Sequence, residues 1–142
     1  MPNQTIIRFG YPETLVREYE HWVVLLREQH VTLGSLVLCA KSDATAFSGL
    51  SVDVFEEMGT VVSDIERGLN AAFRYEKINY LMLMMVDPNV HFHVFPRYAG
   101  KRSACGLTMS DLGWPGAPKL NESRELTPAE RDALCGHIIS YW

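Results

Sequence analysis

From Thr5 to Ala40 the hydrophobic positions come in short runs: Thr5-Ile6-Ile7-Arg8-Phe9, Thr14-Leu15-Val16, His21 to Leu26 and Leu36 to Ala40, separated by Gly10, Pro12 and Gly34. Runs this short, rich in β-branched and aromatic residues and bounded by Gly and Pro, predict strands. Glu13 to Tyr19 also fits the start of an amphipathic helix. The period changes after Ser51. Between Val52 and Tyr75, Phe55, Met58, Val62, Ile65, Leu69 and Ala72 recur at steps of three and four, which places one apolar stripe on a long helix. Ser51 is the N-cap by residue type, and Asp53, Glu56 and Glu57 put negative charge at the positive end of the helix dipole. Gly59 and Gly68 lie inside the helix, each costing about 1 kcal/mol relative to Ala, and are expected to let it pack closely on a sheet.

Two further apolar runs, Ile78 to Val86 and Val90 to Phe95, flank Asp87-Pro88-Asn89. Asp-Pro-Asn is a turn signal, so the pair reads as a tight hairpin. The first strand is apolar on both faces, which suits a central position. Tyr98 to Glu125 is rich in Gly, Pro, Ser and Asn without a sustained period, an irregular segment of the length that is often functional in small domains. Thr127-Pro128-Ala129-Glu130 then forms a capping box with Pro in the first turn, opening a short helix over about 128–139 through Leu134 and Ile138. Strands, one long helix, a strand pair, a loop and a short helix make an α+β domain on an antiparallel sheet. The 142 residues compare with roughly 150 per domain, so a single domain over 1–142 is expected.

Composition narrows the function. Hydrophobic residues at 47% and charged residues at 21% are ordinary globular values. The formal charge of −4, from 13 Lys and Arg against 17 Asp and Glu, disfavours wholesale binding to a nucleic-acid backbone. Cys39, Cys105 and Cys135 are an odd number at irregular spacing, so neither a disulfide framework nor a CxxC metal site follows. The longest apolar run, Leu81 to Val86, is too short for a signal peptide or a membrane span. A reducing cytoplasm is the expected compartment.

The chemistry concentrates in Asn89-Val90-His91-Phe92-His93-Val94-Phe95-Pro96-Arg97. Side chains alternate along a strand, so His91 and His93 share a face about 7 Å apart while Val90, Phe92 and Val94 take the other. Asn89 joins the histidine face if the strand reaches back that far. Three readings compete. Both histidines are structural; or they ligate a metal such as zinc or iron, with a third ligand drawn from His21, His30, His137, Asp87 or Asp111; or a neutral imidazole is a nucleophile toward phosphorus or a carbonyl carbon.

His91-Phe92-His93-Val94-Phe95-Pro96-Arg97 resembles the signature of the histidine triad family, His-x-His-x-His followed by two apolar residues. The order of other features agrees: Arg8-Phe9-Gly10, the glycine-led strand Leu33-Gly34-Ser35-Leu36-Val37-Leu38, and a long helix before the hairpin. The resemblance covers about residues 5 to 98 and is nearest to the fragile histidine triad branch and similar bacterial proteins, some of which share Gly113-Trp114-Pro115. It implies a sheet of about five strands, a homodimer, and a nucleotidyl hydrolase or transferase for dinucleoside polyphosphates or adenylated compounds. His91 falls on the nucleophile of the triad and His93 on the residue that stabilises charge on a non-bridging oxygen. No cofactor is bound by the protein, and Mg²⁺ travels with the substrate phosphates. A nucleotide-binding protein with little catalysis is the rival reading.

Asn89 stands at the first triad position, and asparagine can neither carry a proton nor a positive charge near neutrality. It either weakens leaving-group assistance or simply finishes the turn. The short Asp87-Pro88 hairpin also leaves no room for the glutamine loop of the eukaryotic branch, which puts preference for long polyphosphates in doubt. Arg27 aligns with a ribose-contacting asparagine of that branch, reaching substrate or standing at the surface. Phe9, Leu25 and Leu36 are candidates for base contact, with core packing the alternative for Leu25 and Leu36, and Ser35, at the strand start, either binds substrate or only packs. Pro88 to Ser110 holds no acidic residue but contains Arg97, Lys101 and Arg102, so these cations are expected to give an acidic protein a local phosphate-binding pocket.

Overall fold

The computed structural model describes residues 2–142. Five strands, β1 (Leu15–Glu18), β2 (Trp22–Leu26), β4 (Leu36–Ala40), β6 (His91–Arg97) and β5 (Lys77–Leu81), form one antiparallel sheet in the spatial order β1-β2-β4-β6-β5. Every residue of β2 and β4 is buried, because alternate side chains enter two different layers. Trp22, Val24, Leu26, Leu36, Leu38, Phe92 and Val94 face the long helix α2 (Val52–Phe73), which buries Val54, Val61, Ile65, Leu69 and Phe73 against them. Val23, Leu25, Val37 and Cys39 face the other way, toward Ile6. The result is the expected α+β architecture.

The N-terminal segment departs from the strand expected over Thr5 to Phe9. It is a short helix, α1 (Gln4–Arg8), capped by Asn3, whose side chain accepts from Ile6 N. The same amide donates to Ala40 O at 2.9 Å and Ser42 O at 3.0 Å. These tertiary bonds override the β-branched preference of Thr5-Ile6-Ile7. A helix of five residues is only about 8 Å long, so it covers one part of a sheet about 20 Å wide. The remainder of that face stays open beside His91 and His93 of β6.

Other differences follow from packing. The buried stripe of α2 runs one residue earlier than the sequence period predicts at two points, through Val54 and Val61, and Phe55 instead meets Phe47 at 5.4 Å. Ser51 occupies the N-cap position without a side-chain bond, and Arg74, at φ 52°, ends the helix. The helix does not approach the sheet at its glycines: Gly68 faces Trp142 and Gly59 faces open space. β5 is an edge strand, not a central one, and it ends at Leu81. Residues 82–90 form a looser connection in place of the tight hairpin, with Met84 at φ 51°. Residues 98–125 also hold short pairings: β7 (Arg102–Ala104) with β8 (Leu107–Met109), and β9 (Arg124–Glu125) with β3 (Gln29–His30). Strands of two or three residues are too short to show a period. The last helix, α3 (Pro128–Ile139), has the capping box, with Glu130 N donating to Thr127 Oγ1 at 3.1 Å. No helix among the described residues is long and apolar enough to cross a membrane.

Candidate active site

The open part of the α1 face is a cavity of about 420 Å³, lined by Phe9, Arg27, His91 and His93 and walled by two chain segments. Both segments leave the sheet near the level of His93. Arg27 to Gln29 follow β2 on one side, and Leu83 to Asp87 follow β5 on the other. Glu125 joins the first wall because β9 pairs with β3. The volume suits a ligand of one nucleotide's size.

The two imidazoles stand on one strand face as period-two alternation requires, with ring centroids 5.0 Å apart and planes nearly perpendicular. They lean together under Phe9, whose ring lies 5.5 Å from His91 and 5.7 Å from His93. Their first ring nitrogens have opposite commitments. His91 Nδ1 lies 2.7 Å from the carbonyl oxygen of Asn89, and a carbonyl only accepts, so the His91 proton sits on Nδ1 and Nε2 keeps its lone pair. His93 Nδ1 accepts from Arg27 Nε at 3.4 Å, and a guanidinium only donates. The neutral His93 ring therefore carries its proton on Nε2.

Arg27 is anchored on several sides. Its Nη1 donates to Gln29 O, its Cζ lies 5.6 Å from the Phe95 ring, and its backbone N donates to Ser35 O. Its own carbonyl accepts from the Nδ1 of His30 at 2.8 Å, and His30 Nε2 accepts from Gly34 N at 2.9 Å. Gly34 sits at φ +89° with Phe73 so close that a Cβ would lie 2.7 Å from its ring, which is why the turn needs glycine. His30 is fully buried, and a second proton on its ring would meet the Gly34 N–H.

Burial pushes the His30 pKa down to about 4; burial, then the Arg27 charge and His91, does the same for His93. The unfolded chain protonates both rings near pH 6.5, so between there and about pH 4 the unfolded state binds more protons and stability rises with pH. Urea unfolding should show a loss on acidification through that window, on the order of 3 kcal/mol for fully buried His30. His30→Gln should flatten the dependence; an unchanged slope in that variant would exclude His30 as its source.

Other predicted site residues lie elsewhere. The Asn89 side chain points away from the cavity: Oδ1 accepts from Thr5 Oγ1 at 2.9 Å and Nδ2 donates to Asp43 O at 3.0 Å. It latches α1 to the histidine strand. Leu25 is buried beneath α1 and Leu36 beneath α2. Ser35 closes its own turn, donating to Thr32 O at 2.6 Å and accepting from Thr32 N. The expected cationic cluster does not face the cavity either. Arg97 is buried against Asp111 and Asn79, and Arg102 pairs with Glu76. Cations at the cavity are Arg8, paired with Asp87 at 3.0 Å, and Arg27, which has no carboxylate partner among the described residues. Glu28, Asp87 and Glu125 add negative charge to the lining. Sequence reasoning missed the wall Leu83 to Asp87 because its apolar run read as strand, and missed His30's clamp because the residue was weighed only as a metal ligand. No three His, Cys, Asp or Glu side chains among the described residues are grouped to hold a metal ion.

No protein-family model matches the chain, and no curated protein sequence matches it. Solved structures do. A histidine triad protein from Sinorhizobium meliloti superposes with a TM-score of 0.77 at 18% identity, covering 100% of this chain and 96% of its own. The fold is the histidine triad fold. A hypothetical histidine triad nucleotide-binding protein from Sulfolobus tokodaii gives 0.72 at 19% identity over 96% of this chain and 88% of its own. A zinc-bound histidine triad family protein from Mycobacterium smegmatis gives 0.63 at 17%, over 95% and 90%. In this chain the two histidines stand on β6 and line the cavity, while Asn89 lies in the connection just before that strand with its side chain bonded elsewhere.

Proposed function

We propose that the chain is a bacterial histidine triad protein, nearest the fragile histidine triad branch, that binds a nucleotide and cleaves a phosphoanhydride or adenylated substrate through a nucleotidyl-His91 intermediate. The observation that carries this is the Asn89 carbonyl on His91 Nδ1, which leaves Nε2 as a lone pair at the cavity. Nε2 attacks the α-phosphorus, a P–N bond forms, and the bond to the leaving group breaks with its electron pair. His93 donates from Nε2 to a non-bridging oxygen, where charge builds in the transition state. Water then attacks the same phosphorus, the P–N bond breaks with its electron pair returning to His91 Nε2, and the water's proton passes to solvent as the nucleoside monophosphate leaves; another acceptor in its place gives transfer. The step uses no protein-held metal, and Mg²⁺ accompanies substrate polyphosphate. A cavity of this size, in a protein of charge −4, favours one nucleotide over a nucleic-acid strand.

The rival, binding with little turnover, is favoured by one observation: the Asn89 side chain is committed to Thr5 and Asp43. Incubation with a diadenosine polyphosphate and a panel of adenylated compounds, followed by intact-protein mass spectrometry and product chromatography, separates the two. The hydrolase reading expects a transient nucleotidyl adduct and released monophosphate. Binding without either supports the rival.

We also propose a homodimer, supported by the unpaired edge of β5 and the exposed apolar side chains Val52 and Phe55 on α2. Sedimentation equilibrium should return twice the chain mass at micromolar concentration. A monomer there would overturn it.

A further inference from the structure

We propose that this site is built for leaving groups that depart as anions, phosphates and carboxylates, and against those that need a proton to depart, amines and alcohols. The proposal rests on the nucleotidyl-His91 reading and extends it to substrate class. A leaving group bound to phosphorus takes the electron pair of the broken bond. A phosphate or carboxylate holds that pair as a stable anion in water; an amide or alkoxide does not and must be protonated as the bond breaks.

The cavity offers no positioned acid for that proton. Asn89, two residues before His91 and ahead of β6, has both side-chain groups bonded away from the cavity and no proton to give. His93 is the nearest ring, and Arg27 occupies its Nδ1 lone pair. An imidazolium at His93 would place an N–H against the Arg27 N–H and a second positive charge beside the guanidinium. A neutral ring donates a hydrogen bond from Nε2 but does not surrender the proton. Arg27 cannot swing aside without loss, because Gln29 O, the Phe95 ring and the His30-clamped turn hold it. Arg27 and His30 are thus positioning residues that keep His93 a donor and not an acid. The remaining charged groups facing this part of the cavity are Arg8 paired with Asp87, Glu28 facing Arg131 at 3.7 Å, and Glu125 at the rim. Burial and the Arg27 charge act in the same sense on His93.

Two measurements test this, one independent of turnover. Long-range ¹H–¹⁵N correlation spectra of the ligand-free protein should show His93 neutral with its proton on Nε2 from about pH 7.5 to about pH 5. Arg27→Met should raise the pH at which it protonates toward the ordinary histidine range. An imidazolium or Nδ1–H form at His93 in the wild type near neutrality, or an unchanged titration in Arg27→Met, overturns the role given to Arg27. In kinetics, kcat/KM for diadenosine tetraphosphate and an acyl adenylate should exceed that for adenosine 5′-phosphoramidate by about 10³-fold. Equal rates overturn the substrate class. Failure of every compound to label His91 overturns instead the nucleotidyl-histidine reading, with it the substrate class, while the spectra still decide the state of His93.

Discussion

His91→Ala should lose turnover by on the order of 10⁴-fold or more and lose the nucleotidyl adduct altogether. The reason is that covalent catalysis has no substitute for its nucleophile, whereas the rest of the cavity supplies only binding and charge stabilisation. The Asn89 carbonyl at 2.7 Å fixes the tautomer that exposes Nε2, and it also stabilises the positive charge that the ring gains as its nitrogen bonds to phosphorus. The variant should fold. His91 lines the cavity, and its removal forfeits one hydrogen bond to a backbone acceptor, worth about 1 kcal/mol. His91→Gly leaves space beside the same carbonyl, and free imidazole in the buffer should restore part of the rate. His93→Ala should behave differently, lowering kcat by about 10²–10³ while the adduct still forms. Turnover by His91→Ala within tenfold of wild type would mean that another group attacks phosphorus, and that the paired histidines are only binding elements.

How far the chain announces this site depends on the range of the interactions involved. Period-two alternation is local, so the shared face of His91 and His93 can be read from His-Phe-His alone, and ring separation differs only because the rings lean together. The Thr127 capping box is local too and is present as expected. An apolar run does not say which strand is central: Ile78 to Val86 reads as covered on both faces, yet β5 is an edge, and it is β2, Trp22 to Leu26, that is buried on both. Thr5 to Phe9 is different: its helix depends on Asn3 bonding to Ala40 and Ser42, partners that no window around residue 5 contains. Asn89 follows the same rule. Its residue type fits either a turn or a triad position, and its contacts with Thr5 and Asp43 decide the matter. The wall Leu83 to Asp87 has strand-like composition, but β5 stops at Leu81.

Charge is the case in which counting along the chain misleads most, and Asp111→Ala exposes why. A window from Pro88 to Ser110 is cationic, yet Asp111, the next residue, takes up the charge of Arg97, and Glu76, earlier in the chain, pairs with Arg102. Arg97, with 4% of its side chain exposed, donates to Asp111 at 2.7 and 3.0 Å and to Asn79 Oδ1 at 2.7 Å. Asp111 also accepts from Tyr98 N and Gly113 N, so one carboxylate ties the histidine strand to the segment that follows. Removing it strands a guanidinium without its counter-charge and should cost about 3–5 kcal/mol, or roughly 10–15 °C in melting temperature for a chain of this size. Asp111→Asn keeps acceptors but not the charge and should lose less. Replacing both partners, Arg97→Met with Asp111→Leu, should lose less than Asp111→Ala because no buried charge remains unpaired. The affinity for an anhydride substrate should be unchanged in whichever of these variants folds, since the guanidinium faces Asp111 and not the cavity. Arg97→Met that melts like the wild type but raises KM tenfold would return Arg97 to the phosphate-binding role its sequence position suggests, and would mean that the pair with Asp111 opens when substrate arrives.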